Sequence, residues 1–152
     1  MYERNDPLTS FRFRVRFLGE NKDVAGFSSI TGLEVKVETE TYQEGGSDQV
    51  ISLPKGVSYT NAVFKRGVSG KELYDWYKKT VSSIYNKENL PYRDIVILIY
   101  DTVPSEDAQP KWQIILESSI PVKWSLSELN AGSNAVLIET LEIAFRGLRR
   151  YE

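Results

Sequence analysis

The chain has 152 residues, the length of one ordinary domain, and its 19 basic and 21 acidic residues leave a net charge of −2. This near balance gives no overall attraction to nucleic acid or to an anionic membrane surface. Cysteine and histidine are both absent, which excludes disulfides, thiolate nucleophiles, Ser-His catalysis and the common zinc sites. We expect a single domain over residues 1–152.

The first predicted strand covers residues 11–17, where aromatic or aliphatic residues alternate strictly with arginines. Such alternation is typical of a strand with one buried face. The opposite face carries Arg12, Arg14 and Arg16. A second strand is predicted over residues 33–42, with β-branched residues on one face and a charged row on the other. That charged row consists of Glu34, Lys36, Glu38 and Glu40.

Residues 43–56 are predicted to form a long loop that leaves the sheet. The segment contains Gly45, Gly46 and Pro54, and it encloses a short apolar piece that includes Ile51 and Leu53. Loops of this length without regular structure are uncommon in compact domains and are usually functional. A strand over residues 59–66 follows.

One helix is predicted over roughly residues 70–85. Ser69 and Glu72 have the spacing of a capping box, in which each side chain satisfies a backbone amide at the start of the helix. Apolar residues then follow at helical spacing, and we expect this stripe to pack in the core. It consists of Leu73, Trp76, Tyr77, Val81 and Ile84.

The rest of the chain predicts further strands. Residues 94–102 form an apolar run typical of a strand buried on both faces, and residues 112–119 and 122–126 are predicted as two strands separated by Pro121. The last strand covers residues 136–146, where Glu139 falls on the apolar face without explanation. Trp112 and Trp124 are expected in the core.

The strands do not alternate with helices, so a parallel sheet is not expected. The prediction is a mainly β fold, an antiparallel sandwich or barrel of about seven strands with one flanking helix.

Catalysis finds no support in the spacing of the carboxylates. Asp94 and Asp101 would lie about 23 Å apart along an extended strand, too far for paired acid-base chemistry. Glu139 and Glu142 point to opposite faces of their strand. No glycine-rich phosphate loop is present, and the longest apolar run is too short to span a bilayer. We therefore expect no enzyme activity, no cofactor, no metal and no membrane-spanning segment.

Several short motifs, each weak by itself, occur in an order that resembles the tail tube proteins of phages and contractile injection systems. They are residues 6–13 (DPLTSFRF), 27–33 (FSSITGL), 42–46 (YQEGG), 64–68 (FKRGV), 73–77 (LYDWY), 95–101 (IVILIYD), 121–124 (PVKW), 129–134 (LNAGSN) and 138–148 (IETLEIAFRGL). The set covers nearly the whole chain. Within the family, the chain is most similar to inner-tube subunits of extracellular, phage-like injection systems.

The resemblance implies a structural protein. Six subunits would close into a ring, and rings would stack into a hollow tube surrounded by a contractile sheath and ended by baseplate or cap proteins. Cargo would occupy the lumen, and no specific nucleic acid partner is expected. The particle would assemble in the bacterial cytoplasm, with release outside the cell as a later step. Two alternatives are a ring of the type VI secretion kind and a monomeric β-sandwich binding module.

Three surfaces follow as hypotheses. A ring-to-ring interface is assigned to Tyr42, Gly45, Gly46, Ile51, Leu53 and Pro54, because glycines permit a sharp exit from the sheet and the apolar side chains can dock. The row of Glu34, Lys36, Glu38 and Glu40 either lines the lumen or is an ordinary solvated strand face. The row of Arg12, Arg14 and Arg16 forms a lateral interface or a solvated face. Both are favoured over nucleic acid binding because no aromatic residue interleaves the arginines on their own face of the strand.

Overall fold

The computed structural model describes residues 7–8, 12–24 and 26–151, so the predicted start of the first strand at Phe11 lies outside the described residues. Ten strands and one helix occur in this part of the chain. They are β1 Phe13–Phe17, β2 Asp23–Val24, β3 Phe27–Thr31, β4 Val35–Gln43, β5 Val50–Tyr59, β6 Ala62–Gly67, α1 Glu72–Asn86, β7 Arg93–Ile99, β8 Trp112–Leu126, β9 Ile138–Ala144 and β10 Gly147–Tyr151.

The strands form two antiparallel sheets that share the long strand β8. Its first half pairs with β7 and β10, which gives a first sheet in the order β2-β1-β7-β8-β10. Its second half pairs with β9, which gives a second sheet in the order β8-β9-β6-β3. Strands β4 and β5 form a separate two-stranded hairpin. The predicted fold class is confirmed. About seven strands was too low, because β2, β3 and β10 were not predicted and most of β5 was predicted as a loop.

Strand β8 changes sheets at a bend near Ser118. This residue has a φ of 49°, and its amide donates a hydrogen bond to Asp94 Oδ1 at 2.8 Å. The Asp94 carboxylate therefore satisfies the Ser118 amide, which the bend turns away from the hydrogen bonds of the strand ladder. The prediction of two strands separated by Pro121 was wrong. In the described residues the second half of β8 is an edge strand paired with β9 alone, and its register shifts between Pro121 and Lys123, which are positions where proline is tolerated.

The core lies between the two sheets. Val15, Phe17, Ile95 and Leu116 come from the first sheet, and the second sheet contributes buried residues that include Phe64 and Leu141. Strand β7 is buried on both faces, as predicted, since Val96 and Leu98 form a smaller apolar cluster on its other side. Trp124 packs against the core, but the prediction for Trp112 was wrong because its side chain is exposed at the end of β8.

Helix α1 packs against β8 and β1. Its buried residues are Leu73, Trp76, Thr80 and Ser83, spaced three or four apart as an amphipathic helix requires. The Trp76 ring meets Phe17 edge to face at 5.3 Å, and its Nε1 donates to the Pro91 carbonyl at 2.8 Å. The prediction that Ile84 belongs to the packed stripe was wrong, since this side chain is exposed. In the described residues, no helix is long and apolar enough to cross a membrane.

The predicted capping box does not form. Lys71 is the N-cap residue, and no side-chain cap hydrogen bond is made there. Glu72 instead accepts a hydrogen bond from Arg66 Nη1 at 2.5 Å. Its carboxylate folds back over Gly70, where a Cβ would lie 2.2 Å from Glu72 Oε2. A buried guanidinium competes better than a backbone amide for this carboxylate because a charge-assisted hydrogen bond is stronger.

A buried ion pair explains the polar residue on the apolar face of β9. Arg66 is fully buried, and its Nε donates to Glu139 Oε1 at 2.6 Å. The second oxygen of Glu139 accepts from Trp124 Nε1 at 2.8 Å. This cluster joins β6, β8, β9 and the first turn of α1. Desolvation by burial acts to lower the pKa of Arg66, but the hydrogen bonds and charges of Glu72 and Glu139 raise it overall.

Removing Glu139 should destabilise the domain strongly. We expect Glu139→Ala to lower the free energy of unfolding by about 3–5 kcal/mol, because it removes one of the two carboxylates that compensate the buried Arg66 guanidinium. Urea denaturation followed by tryptophan fluorescence measures the loss. Glu142→Ala, on the opposite face of β9, is the matched control and should cost less than about 1 kcal/mol. Equal effects of the two substitutions would contradict the assigned role of the ion pair.

The carboxylate of Glu72 should make stability depend on pH in the acid range. The hydrogen bond from Arg66 lowers the pKa of Glu72 below its ordinary value of 4.5, against an opposing effect of desolvation. The contribution is therefore present above about pH 4.5 and is lost as the pH falls through the lower folded pKa. Thermal unfolding between pH 3 and 7 should show the difference between wild type and Glu72→Gln shrinking as the solution is acidified. The exposed Glu128→Gln control should show no such convergence.

Candidate functional site

Strands β4 and β5 form a long hairpin that extends beyond the sandwich. Its ladder runs from the pair Val35 and Tyr59 to the pair Gln43 and Val50, a span of ~30 Å at ~3.3 Å per residue. It continues the ribbon made by β3 and β6. Gly32 allows the close crossing at the junction, since its φ is +80° and a Cβ would lie 2.3 Å from the Asn61 carbonyl. Nearly every residue of the hairpin is exposed.

One face of the hairpin is apolar, and we call it the apolar face. Val35, Val37 and Val57 share it, with exposed fractions of 45%, 52% and 56%. It continues the core side of the sheet, because Tyr59 at its base packs against the core and its ring lies 5.4 Å from Phe145. An apolar strand surface of this kind in water marks a contact site.

An open groove of about 700 Å³ lies at the mouth of the sandwich beside this face. Phe13, Ile97 and Ile99 line it from the first sheet, and Ile30 and Leu33 line it from the ribbon. Leu33 directly precedes β4, so the groove and the apolar face form one continuous strip. Among the described residues, the part of this strip on the hairpin has no second layer over it.

The opposite face of the hairpin is charged near its base, and we call it the polar face. Glu38 accepts a hydrogen bond from Ser58 Oγ at 2.7 Å, and Lys36 Nζ lies 3.9 Å from Glu38 Oε2. This face is on the same side as the outer surface of the second sheet, where Asn61 donates to Glu142 Oε1 at 3.0 Å. Together they make a broad surface of mixed charge.

The residues predicted for the ring-to-ring contact gather at the far half of the hairpin. Tyr42 and Ile51 are directly paired, and Leu53 lies beside them on the polar face. All three are exposed. Gly45 and Gly46 form the terminal turn, and Pro54 lies opposite Thr39 next to a β-bulge. The prediction that residues 43–56 form a structureless loop was wrong, since only residues 44–49 lie outside the strands.

Three of the four residues predicted for the lumen share the polar face. Lys36, Glu38 and Glu40 occupy successive positions on β4, each exposed or half-buried. Glu34 lies in the connection before β4 and outside the ladder. The predicted lumen row and the predicted ring contact are therefore the near and far halves of one face.

The arginine row makes contacts within its own subunit. Arg16 lies 2.9 Å and Arg14 3.3 Å from the Asp23 carboxylate, and Arg14 also donates to the Pro104 carbonyl at 3.2 Å. Arg12 donates to the Asp101 carbonyl. The side chains remain partly accessible, so a lateral contact stays a prediction. In the described residues no group of three or more acidic side chains is arranged to hold a metal ion.

The valines of the apolar face were missed as candidate contact residues. The sequence carried part of the signal, because Val35 and Val37 alternate with charged residues and were therefore predicted to share one face of a strand. Alternation identifies the apolar side of a strand but not whether the chain itself supplies a layer to cover it. Only the three-dimensional extent of the two sheets shows that the hairpin projects past its cover.

Comparison with known proteins adds an independent finding. The family model described as T4-like virus tail tube protein gp19 matches residues 9–149. A chain in a cryo-EM structure of the anti-feeding prophage (AFP) baseplate, 6-fold symmetrised, is 25% identical with a TM-score of 0.72, and the match covers 97% of each chain. No curated protein matches the sequence.

Two further solved structures share the fold at lower identity. A chain of the AFP tube terminating cap is 18% identical with a TM-score of 0.81, over 99% of this chain and 95% of that one. A chain of the sheath-tube complex of the extracellular contractile injection system PVC, in the extended state, is 19% identical with a TM-score of 0.75, over 97% and 93%.

Proposed function

The chain belongs to the T4-like virus tail tube protein gp19 family and is a structural tube subunit, and we propose that it closes into six-membered rings that stack through the β4–β5 hairpin. The observation that carries this proposal is the uncovered hairpin. A monomeric binding module would not expose three valines on a strand face continuous with its own core.

Six subunits per ring are supported by symmetry in a similar structure. The baseplate containing the 25% identical chain is 6-fold symmetrised. The chain also has free strand edges, since β2, β3 and β10 each pair on one side within the described residues. Edge strands that meet a neighbour in a closed ring are removed as sites of unlimited aggregation.

The partners follow from the setting of the similar chains, which occur in a sheath-tube complex, a tube cap and a baseplate. We propose a surrounding sheath and end proteins for this tube as well. A phage tail-like particle assembled in the bacterial cytoplasm and then released is the proposed location. The role is passive, and we propose no catalytic activity and no cofactor.

The polar face is proposed as part of the lumen wall. Placing Lys36, Glu38 and Glu40 toward the channel lets the apolar face on the opposite side contact protein. The reverse orientation would expose Val35 and Val37 to passing cargo. Near the base of the hairpin this face presents interspersed charges, which stay hydrated. The arginine row remains the proposed lateral contact, reached through the accessible parts of Arg12, Arg14 and Arg16.

Shortening the hairpin should separate folding from assembly. We expect replacement of residues 36–58 by Asn-Gly, which suits a two-residue turn between the paired Val35 and Tyr59, to leave a folded domain that forms no tubes. Electron microscopy measures assembly, and thermal unfolding followed by circular dichroism measures folding. Tubes of ordinary length from this variant would contradict the role of the hairpin. Loss of the folding transition would show that the hairpin belongs to the domain core.

The lumen assignment predicts size-dependent labelling. The chain has no cysteine, so Glu40→Cys provides one thiol. In assembled tubes this thiol should react with a small maleimide but not with a maleimide on a long polyethylene glycol, whereas free subunits should react with both. Asp75→Cys on the exposed side of helix α1 is the control for a site outside the channel. Equal labelling of Glu40→Cys by both reagents in tubes would place the polar face elsewhere.

A further inference from the structure

The hairpin and the β8–β9 loop lie at opposite ends of the second sheet. The hairpin leaves the sheet just before Ala62, whose partner on β9 is Ile143. The β8–β9 loop, residues 127–137, joins the ends of those strands at the pair Leu126 and Glu139. Along this ladder the base of the hairpin and the base of the loop are some five residues apart, which is ~17 Å.

The β8–β9 loop has an ordered backbone but presents apolar side chains outward. Its base is closed by Ser127, whose amide donates to the Ile138 carbonyl and whose hydroxyl accepts from the Ile138 amide, both within 3.0 Å. Asn130 Oδ1 accepts from the Gly132 amide at 3.0 Å. Nevertheless Leu129 and Val136 are 78% and 72% exposed. A loop held in shape by its own hydrogen bonds can be buried at an interface with little loss of conformational entropy.

The loop is also suited to burial by its lack of charge. Residues 129–138 contain no acidic or basic side chain. Covering this segment therefore removes no ion from water, which is the expensive part of burying a polar surface. Val68 extends the patch, since it is exposed and its amide donates to the Leu137 carbonyl at 3.0 Å. Nothing else in the described chain covers this end.

We propose that the β8–β9 loop of one copy packs against the apolar face of the hairpin of a second copy in the next ring, with Leu129 and Val136 against Val35, Val37 and Val57. This inference rests on the proposed function and adds the receiving surface. Two different patches at opposite ends of one subunit make a head-to-tail contact that repeats without closing, which is the geometry that ring stacking needs. Pairing of hairpin with hairpin would instead be self-complementary and would end at a dimer of rings.

The cysteine-free chain allows a direct test by cross-linking between copies. Six pairwise mixtures of single-cysteine variants combine Val35→Cys, Val37→Cys or Val57→Cys with Leu129→Cys or Val136→Cys, and a short bis-maleimide is added to assembled material. We expect a mixed dimer on a denaturing gel from at least one mixture. Val37→Cys mixed with Ile84→Cys, an exposed position on helix α1, is the control and should give none.

A charge placed in the loop tests the energetic role of the same contact. Leu129→Asp should raise the subunit concentration at which tubes appear by roughly tenfold or more, which corresponds to about 1.4 kcal/mol. Val103→Asp is the matched control, because Val103 is also in a loop and is 76% exposed. Thermal unfolding of both variants should match wild type, since surface substitutions change stability little.

The outcomes separate this inference from the proposed function. Wild-type tubes together with no mixed dimer in any of the six mixtures, or an unchanged threshold for Leu129→Asp, would overturn the loop-to-hairpin contact alone. Neither rings nor tubes from wild type across a concentration series, with no cross-linked product, would overturn the stacking function itself. Cross-links between two hairpin cysteines in place of the mixed dimer would assign the apolar face to a self-complementary contact.

Discussion

The architecture depends on one constraint, which is that the apolar face of a β-sheet needs a second layer to cover it. Within the sandwich the chain satisfies this requirement, since Phe17 and Leu116 of the first sheet lie over Phe64 and Leu141 of the second. The ribbon that begins with β3 and β6 is longer than the layer opposite it. Its outer half, strands β4 and β5, keeps the same two-sided pattern and has no cover among the described residues. In the proposed tube, a neighbouring subunit supplies the missing layer.

The buried ion pair of Arg66 and Glu139 fixes the geometry from which the hairpin projects. Arg66 is on β6, two residues beyond Phe64 on the strand that continues from the hairpin, and it reaches both β9 and the first turn of α1. Burying two charges is costly and gives little net stability, so apolar residues would serve the core as well. The pair instead fixes the relative orientation of these elements, because a guanidinium bonded to two carboxylates and a backbone carbonyl permits few arrangements of its helix and strands.

The sequence predicted the fold class, the helix and most strands, because alternation and helical spacing are local signals. It failed where a non-local partner decides the outcome. Glu72 has the spacing of a cap but binds Arg66 instead, and Pro121 has the appearance of a break but pairs with Ile143 inside a continuous edge strand. The first strand of the hairpin was predicted, but most of the second was predicted as a loop because its glycine, proline and polar residues hide the ladder. Glu139 could be identified as anomalous from the sequence, yet its partners come from other strands and cannot be read from spacing.

The two faces of the hairpin bear on the proposed assembly in different ways. The polar face carries its charges near the base, while Tyr42, Ile51 and Leu53 lie beyond them toward the tip. The apolar face is narrow, one strand pair wide, and Thr39 and Thr41 interrupt it along β4. In the proposed six-membered ring, a narrow strip of this kind makes each contact modest in strength, and six contacts act together. Stacking can then be firm between whole rings while single subunits remain apart, because only a closed ring presents all its hairpins at once.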